Sequence, residues 1–206
     1  MNRRSFCSLL LAAFAQLFLF GCARDRAMIR YRKESEIPEW PGIEPPKALV
    51  VFDSWSGNTQ MIGEAIADVL SCPAIHLADL GDGPVPAHDL LVIGSPVHGG
   101  LTTDPVKAFL TRIEPPRVSA VFATFGAPLF GPLTANMCLN GMEKRLHETC
   151  IGRFKCHGFH QILRTYPSHP DEEDQRDAAR FAAGLLARCR VSDPAKTLPK
   201  TEKSAA

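Results

Sequence analysis

The residues whose types and spacing can do chemistry fall in three short loops. The first reads Ser54-Trp55-Ser56-Gly57-Asn58-Thr59. Its hydroxyls at 54, 56 and 59, the Asn58 carboxamide and the open N–H groups at a helix start can all donate to a dianionic phosphate. Gly57 lets the backbone come close to such a ligand. The loop contains no lysine or arginine, so an anion would be held by neutral donors and the helix dipole, without the lysine of a nucleoside-triphosphate loop. A monophosphate suits this donor set. Taken alone, Ser56 to Thr59 reads equally as an ordinary helix N-cap, and its position after a buried strand is what favours the phosphate. The second loop holds Pro96, Val97, His98 and Gly99, and the third holds Thr124, Phe125 and Gly126.

These loops need a scaffold, and the surrounding pattern supplies one. From about Lys47, short apolar runs alternate with longer amphipathic segments. Residues 48–52, 90–93 and 118–122 are near-continuous apolar runs, as strands covered on both faces require. A weaker strand at 74–77 and a fifth near 154–159 complete the sheet. Helices are expected over 58–70, 105–113, 135–148 and 171–188; in the last, Ala178, Phe181, Ala182, Leu185 and Leu186 recur at helical spacing. The alternation predicts an α/β fold with a doubly wound, five-stranded parallel sheet and helices on both faces. Ligands of such sheets sit beyond the carboxyl ends of the strands, where strand order reverses. All three loops follow strands at that end.

The segment from Leu49 to Leu70 resembles the first strand, phosphate loop and helix of flavodoxin-like proteins, whose loop runs Ser/Thr-x-Thr-Gly-Asn-Thr; Ser56 stands for the first Thr of that Thr-Gly-Asn-Thr run. The resemblance continues at Gly94-Ser-Pro-Val-His-Gly-Gly100 and in the proline-started helix from Asp104, and more weakly at Ala123 to Gly131, so that it covers roughly residues 47 to 190. It implies FMN as cofactor, held by Ser54, Trp55, Ser56, Gly57, Asn58 and Thr59 at the phosphate. Pro96, Val97, His98 and Gly99 would lie at the isoalloxazine ring, and Thr124, Phe125 and Gly126 at its pyrimidine edge. His98 occupies a place usually held by Tyr or Trp, where an imidazole can stack or hydrogen-bond but offers a smaller, titratable surface. Either Phe125 or Phe130 could form an aromatic wall. The family implies electron transfer, which needs no catalytic acid or base, or in some branches quinone reduction by a nicotinamide donor.

The ends of the chain read differently. Arg3 and Arg4 precede a charge-free apolar run from Ser5 to Phe20 that ends in Leu19-Phe20-Gly21-Cys22, which is export-signal architecture. Leu19 to Cys22 resembles a lipoprotein lipobox, with Cys22 as the acylated residue, and Asn2 to Phe6 resembles a twin-arginine signal, the route for a protein that must cross a membrane already folded. An uncleaved anchor is the other reading of this run. The expected organisation is an export signal over 1–22, a charged, proline-rich tether over 23–46, the domain over 47–190 and a disordered tail over 191–206. The protein would be exported and membrane-anchored on the extracytoplasmic side.

Composition limits what else the chain can be. A formal net charge of +1 with scattered basic residues gives no footprint for nucleic acid. Seven cysteines without paired short spacing give no metal site. Between Lys47 and Arg190 there are 13 basic and 15 acidic residues, a net of −2. That is too little charge for an acidic soluble shuttle, which favours a tethered carrier meeting a redox protein or a quinone at high local concentration. The alternatives are an FMN-dependent NAD(P)H quinone reductase and a non-redox lipoprotein module that has lost FMN. The last is prompted by Asp53, a carboxylate beside the anion loop.

Overall fold

The computed structural model describes residues 27–33, 46–114 and 116–189. The export signal, Cys22, most of the tether and the tail lie outside the described residues.

One six-stranded sheet carries the fold. Its strands are β1 (Met28–Tyr31), β2 (Ala48–Phe52), β3 (Ala74–His76), β4 (Leu90–Pro96), β5 (Val118–Phe125) and β6 (Cys150–His157), ordered β1-β6-β5-β4-β2-β3. All neighbours pair in parallel except β1, which runs antiparallel on the outer edge of β6. The helices are α1 (Asn58–Leu70), α2 (Leu77–Leu80), α3 (Asp104–Arg112), α4 (Gly131–Leu146) and α5 (Glu172–Arg188).

Side chains alternate across the pleat, and both faces are buried. Val50, Phe52, Val92, Phe122 and Phe154 pack against α1 and α5 through Ile62, Ile66, Phe181 and Leu185. Leu49, Val51, Leu91, Ile93 and Val121 pack against α3 and α4 through Val106, Phe109, Leu139 and Met142. Burial on two faces explains why the central strands carry apolar residues at successive positions instead of at every second one. The crossing of β4 and β5 is tight enough that a Cβ on Gly94 would collide with the Phe122 ring.

The four expected helices begin and end within a few residues of their bounds, while α2 is not among them and takes Leu77 from the strand expected over 74–77. The largest difference is α4, which starts four residues early because Pro132 sits in its first turn, where a missing N–H costs nothing.

The sixth strand corrects two expectations, the five-stranded sheet and the tether over 23–46. Met28 to Tyr31 pairs with Lys155 to Gly152. Tyr31 turns inward, stacks on Phe181 at 5.8 Å between ring centroids, and donates its hydroxyl to Phe181 O at 3.0 Å. The Arg188 guanidinium covers the other side of the ring at 3.7 Å. Glycines make the room, since a Cβ on Gly184 would collide with the Tyr31 hydroxyl and one on Gly152 would press on its ring. Two residues of inward alternation therefore anchor a strand inside an otherwise charged segment.

Strand order fixes where a site can form. From β2 the chain moves outward to β3, then returns past β2 to β4 and on to β5 and β6. The loops after β2 and β4 therefore leave neighbouring strands in opposite directions, opening a crevice between them at the carboxyl edge.

Candidate functional site

Loop Ser54 to Gly57 joins β2 to α1 at that crevice. Gly57 is the N-cap of α1 in the left-handed region at φ 84° and has no side chain with which to cap it; of the first-turn N–H groups, Gln60 N is taken by Ser54 Oγ. The first turn of α1 also carries no acidic residue. A helix start with no capping side chain at its N-cap and no carboxylate leaves its earlier N–H groups and partial positive charge for an outside anion.

The hydroxyls around this helix end have distinct positions. Ser54 Oγ accepts from Gln60 N at 3.2 Å, and Ser56 Oγ accepts from Asn58 Nδ2 at 2.9 Å, so each hydroxyl proton remains available to a ligand. Ser56 and Trp55 are exposed, while Ser54, Gly57 and Asn58 are half-buried. Thr59 is fully buried, its Oγ1 2.8 Å from Thr124 Oγ1. Asn58 donates its second amide proton to Phe159 O at 2.9 Å. Two of the expected phosphate donors thus brace the loop from below: Thr59 ties it to β5, and Asn58 ties it to the chain beyond β6.

Sequence reasoning missed His76, which closes the loop from the β3 side. Its Nδ1 lies 3.1 Å from Ala78 N, and its Nε2 lies 3.1 Å from Ser54 N and 3.3 Å from Ser54 O, so the ring ties the loop backbone to the start of α2. The available signal was positional, because the end of β3 lies beside Phe52 in register.

Asp53 is 4% exposed and follows Leu49 and Val51 on the α3 face of the sheet, opposite α1. There it lines a cavity of about 250 Å³ with His76, Phe109 and Arg112. Its Oδ1 is 3.7 Å from His76 Nε2. The carboxylate thus points away from the anion site, which removes the observation that prompted the cofactor-free alternative.

The second loop is a tight hairpin. His98 and Leu101 exchange both backbone hydrogen bonds, at 3.1 and 3.0 Å, around Gly99 and Gly100 at φ 58° and 82°. Consecutive positive φ values define a turn that favours glycine. Val97 N donates to Thr124 O at 2.9 Å, and Pro96 pairs with Thr124, which seats this loop beside β5. The exposed His98 ring meets Trp55 edge-on at 4.5 Å, so the first two loops share one aromatic contact at the rim.

The third loop divides its candidates. Phe125 is 5% exposed and packs inward against His157 at 4.5 Å, with Lys155 Nζ 5.7 Å from its ring. Gly126 accepts from Thr165 Oγ1 at 2.5 Å and lies against His160 and Gly158, where a Cβ would clash. Phe130, 63% exposed, is the aromatic this loop presents. Thr124 contributes through its bond to Thr59.

Beyond β6, His169 Nδ1 lies 2.6 Å from Asp174 Oδ2, and Asp171 is near enough to complete a three-residue group. Both carboxylates are engaged in the capping box of α5. Backbone bonding from Asp174, aided by His169, holds the Asp171 carboxyl below its ordinary range.

All five cysteines among the described residues are free thiols. Burial raises every one of them, Cys150 to about 12 and both Cys72 and Cys189 to about 11. They are packing residues, not nucleophiles.

A doubly wound sheet with a hydroxyl-lined helix start at its switch point is the architecture of flavodoxin-like α/β proteins. The chain belongs to the flavodoxin-domain family, whose model matches residues 49–166. Solved structures agree on the fold. The short-chain flavodoxin associated with a non-canonical PDU bacterial microcompartment is 18% identical, with a TM-score of 0.53 over 69% of this chain and 98% of that one. The flavodoxin, WrbA-like protein from Agrobacterium tumefaciens is 16% identical, with a TM-score of 0.52 over 70% and 98%. Oxidised Flavodoxin 2 from Bacillus cereus is 22% identical, with a TM-score of 0.50 over 69% and 99%. Comparison with curated proteins gave no match.

Proposed function

We propose that this domain binds FMN and carries electrons while held at the extracytoplasmic face of a membrane by an acylated Cys22. The observation that carries the cofactor reading is the start of α1, where a left-handed Gly57 with no capping side chain and two serine hydroxyls with free protons converge without a cation. That donor set fits a phosphate monoester at a flavodoxin-type switch point.

When bound, FMN supplies one- and two-electron transfer. The protein's residues do the remaining work. Ser54, Ser56 and the N–H groups of Gly57, Asn58 and Thr59 would hold the phosphate. Thr59, Thr124, Asn58 and His76 keep those donors in place, so little reorganisation accompanies binding. Trp55, His98 and Phe130 supply the apolar surface for a flat ring at the rim and keep water from it.

The membrane reading is supported by sequence alone, through the twin-arginine pair, the apolar run and Leu19 to Cys22. Among the described residues no helix is long and apolar enough to cross a membrane. A folded-state export route agrees with a cofactor loaded before translocation. The small net charge of the domain agrees with a carrier that finds a redox protein or quinone by proximity.

Two assays test the proposal. Fractionation should place the mature chain with membranes, and recovery wholly in the soluble cytoplasmic fraction would contradict the tether. Purified holoprotein mixed with NAD(P)H and a quinone should show no rapid turnover, whereas fast nicotinamide oxidation would replace the carrier with a reductase.

A further inference from the structure

Ten large hydrophobic side chains are exposed among the described residues, and they are distributed unevenly. Trp55, Leu101, Leu129, Phe130, Ile162 and Leu163 stand in loops at the carboxyl edge of the sheet. Met61, Leu133 and Met137 lie in the first two turns of helices leaving that edge, and Met28 opens β1 opposite Lys155 near the end of β6. Exposures reach 88% at Ile162. The opposite edge presents Lys47, Ser71, Arg117, Lys144, His147 and Glu148 to solvent, and none of the ten.

The loops that carry these side chains touch one another. Trp55 meets His98, Gly100 lies against Thr134 of α4, and Gly126 lies against His160 in the turn that holds Ile162 and Leu163. Exposed apolar side chains gathered on one edge in this way mark a contact surface. A bound flavin would cover only its inner part.

The direction of β1 indicates what covers the rest. Because β1 is antiparallel, the chain enters the sheet at the carboxyl edge and leaves it at the amino edge. Only four residues lie between Cys22 and Ala27, the first described residue before β1, so the five Cα steps place Cys22 within about 17 Å of that edge even with the link fully extended. We propose that the carboxyl-edge rim docks onto the lipid bilayer, with Ile162, Leu163, Leu129 and Leu133 entering the headgroup boundary and the cofactor crevice facing the membrane. Apolar side chains on a tethered protein add buried area to acyl anchoring and fix which face meets the membrane. This inference rests on the tether reading and adds an orientation to it.

The test reconstitutes the whole acylated chain into phosphatidylcholine vesicles with brominated or ordinary acyl chains. A single reporter tryptophan is placed by Ile162→Trp or, as the control, Lys144→Trp, each with Trp40→Phe and Trp55→Phe. Brominated lipid should lower the emission of the 162 reporter about twofold and leave the 144 reporter nearly unchanged. Adding Leu163→Asp and Leu133→Asp should restore the 162 emission while the chain still sediments with vesicles. Equal quenching of both reporters, or none in a chain that sediments, overturns the orientation and leaves the tether standing. A chain that stays in the supernatant overturns both. A concentration-dependent dimer without vesicles that shields the 162 reporter would assign the rim to a second copy and overturn the bilayer.

Discussion

Two helices begin at the same edge of the sheet, and they treat their N-termini in opposite ways. At α5, Asp171 caps the helix by accepting from Glu173 N and Asp174 N, Asp174 bonds back to Asp171 N, and three acidic residues fill the first turn. At α1, the capping position is a glycine at φ 84° with no side chain, no acid is present, and only Gln60 N is met, by the neutral Ser54 hydroxyl. Each helix carries a partial positive charge of similar size at its start. The first neutralises it internally, and the second leaves it for a ligand. Stability is secured at one end and binding capacity is kept at the other.

The comparison is broken most severely by giving α1 what α5 already has. Ser56→Asp should place a carboxylate at the phosphate position and weaken FMN binding by at least about 100-fold, roughly 2.7 kcal/mol, in a fluorescence titration. Urea stability should not fall with it. Unchanged affinity would mean that the phosphate binds elsewhere.

Gly57→Ala should have a smaller effect. A Cβ there meets open space, so the cost is conformational, about 1 to 2 kcal/mol for the left-handed backbone. The shift should appear in the urea midpoint, with a weaker flavin as the N–H groups turn away. A neutral result would show that the left-handed turn is dispensable.

The reciprocal change at α5 is milder still. Asp171→Ala should lower stability by about 1 kcal/mol and leave FMN affinity unchanged. The Asp171 carboxyl is depressed in the fold, so its contribution is fully present above the unfolded value near 3.9 and is lost as pH falls through the lower folded value. The difference between parent and variant should therefore shrink only below about pH 4. A difference that vanished already at neutral pH would point to a cause other than the cap.

Much of this contrast could be read before any coordinates. The apolar runs at 48–52, 90–93 and 118–122 announce doubly buried strands because they are near-continuous, and Ser54 to Thr59 announces an anion loop by its donors. The two-residue period of β2 also contains the answer to Asp53, which shares a face with Val51 and so points away from α1. Other features depend on partners far away in the chain. β1 exists because Tyr31 fits beside Gly152 and Gly184, a match that no local pattern displays. Thr59 and Asn58 look like ligand donors until Thr124 and Phe159 claim them. Phe125 and Phe130 are indistinguishable in sequence, yet one is buried under His157 and the other faces solvent.

The central claim is that the start of α1 holds FMN. Its most direct test is the visible absorbance spectrum of the purified chain before and after adding FMN, beside a variant carrying Ser56→Ala and Thr59→Ala. The account predicts a flavin spectrum retained through gel filtration in the parent and lost in the variant, with both proteins folded by circular dichroism. A folded parent that stays colourless in excess FMN would contradict it.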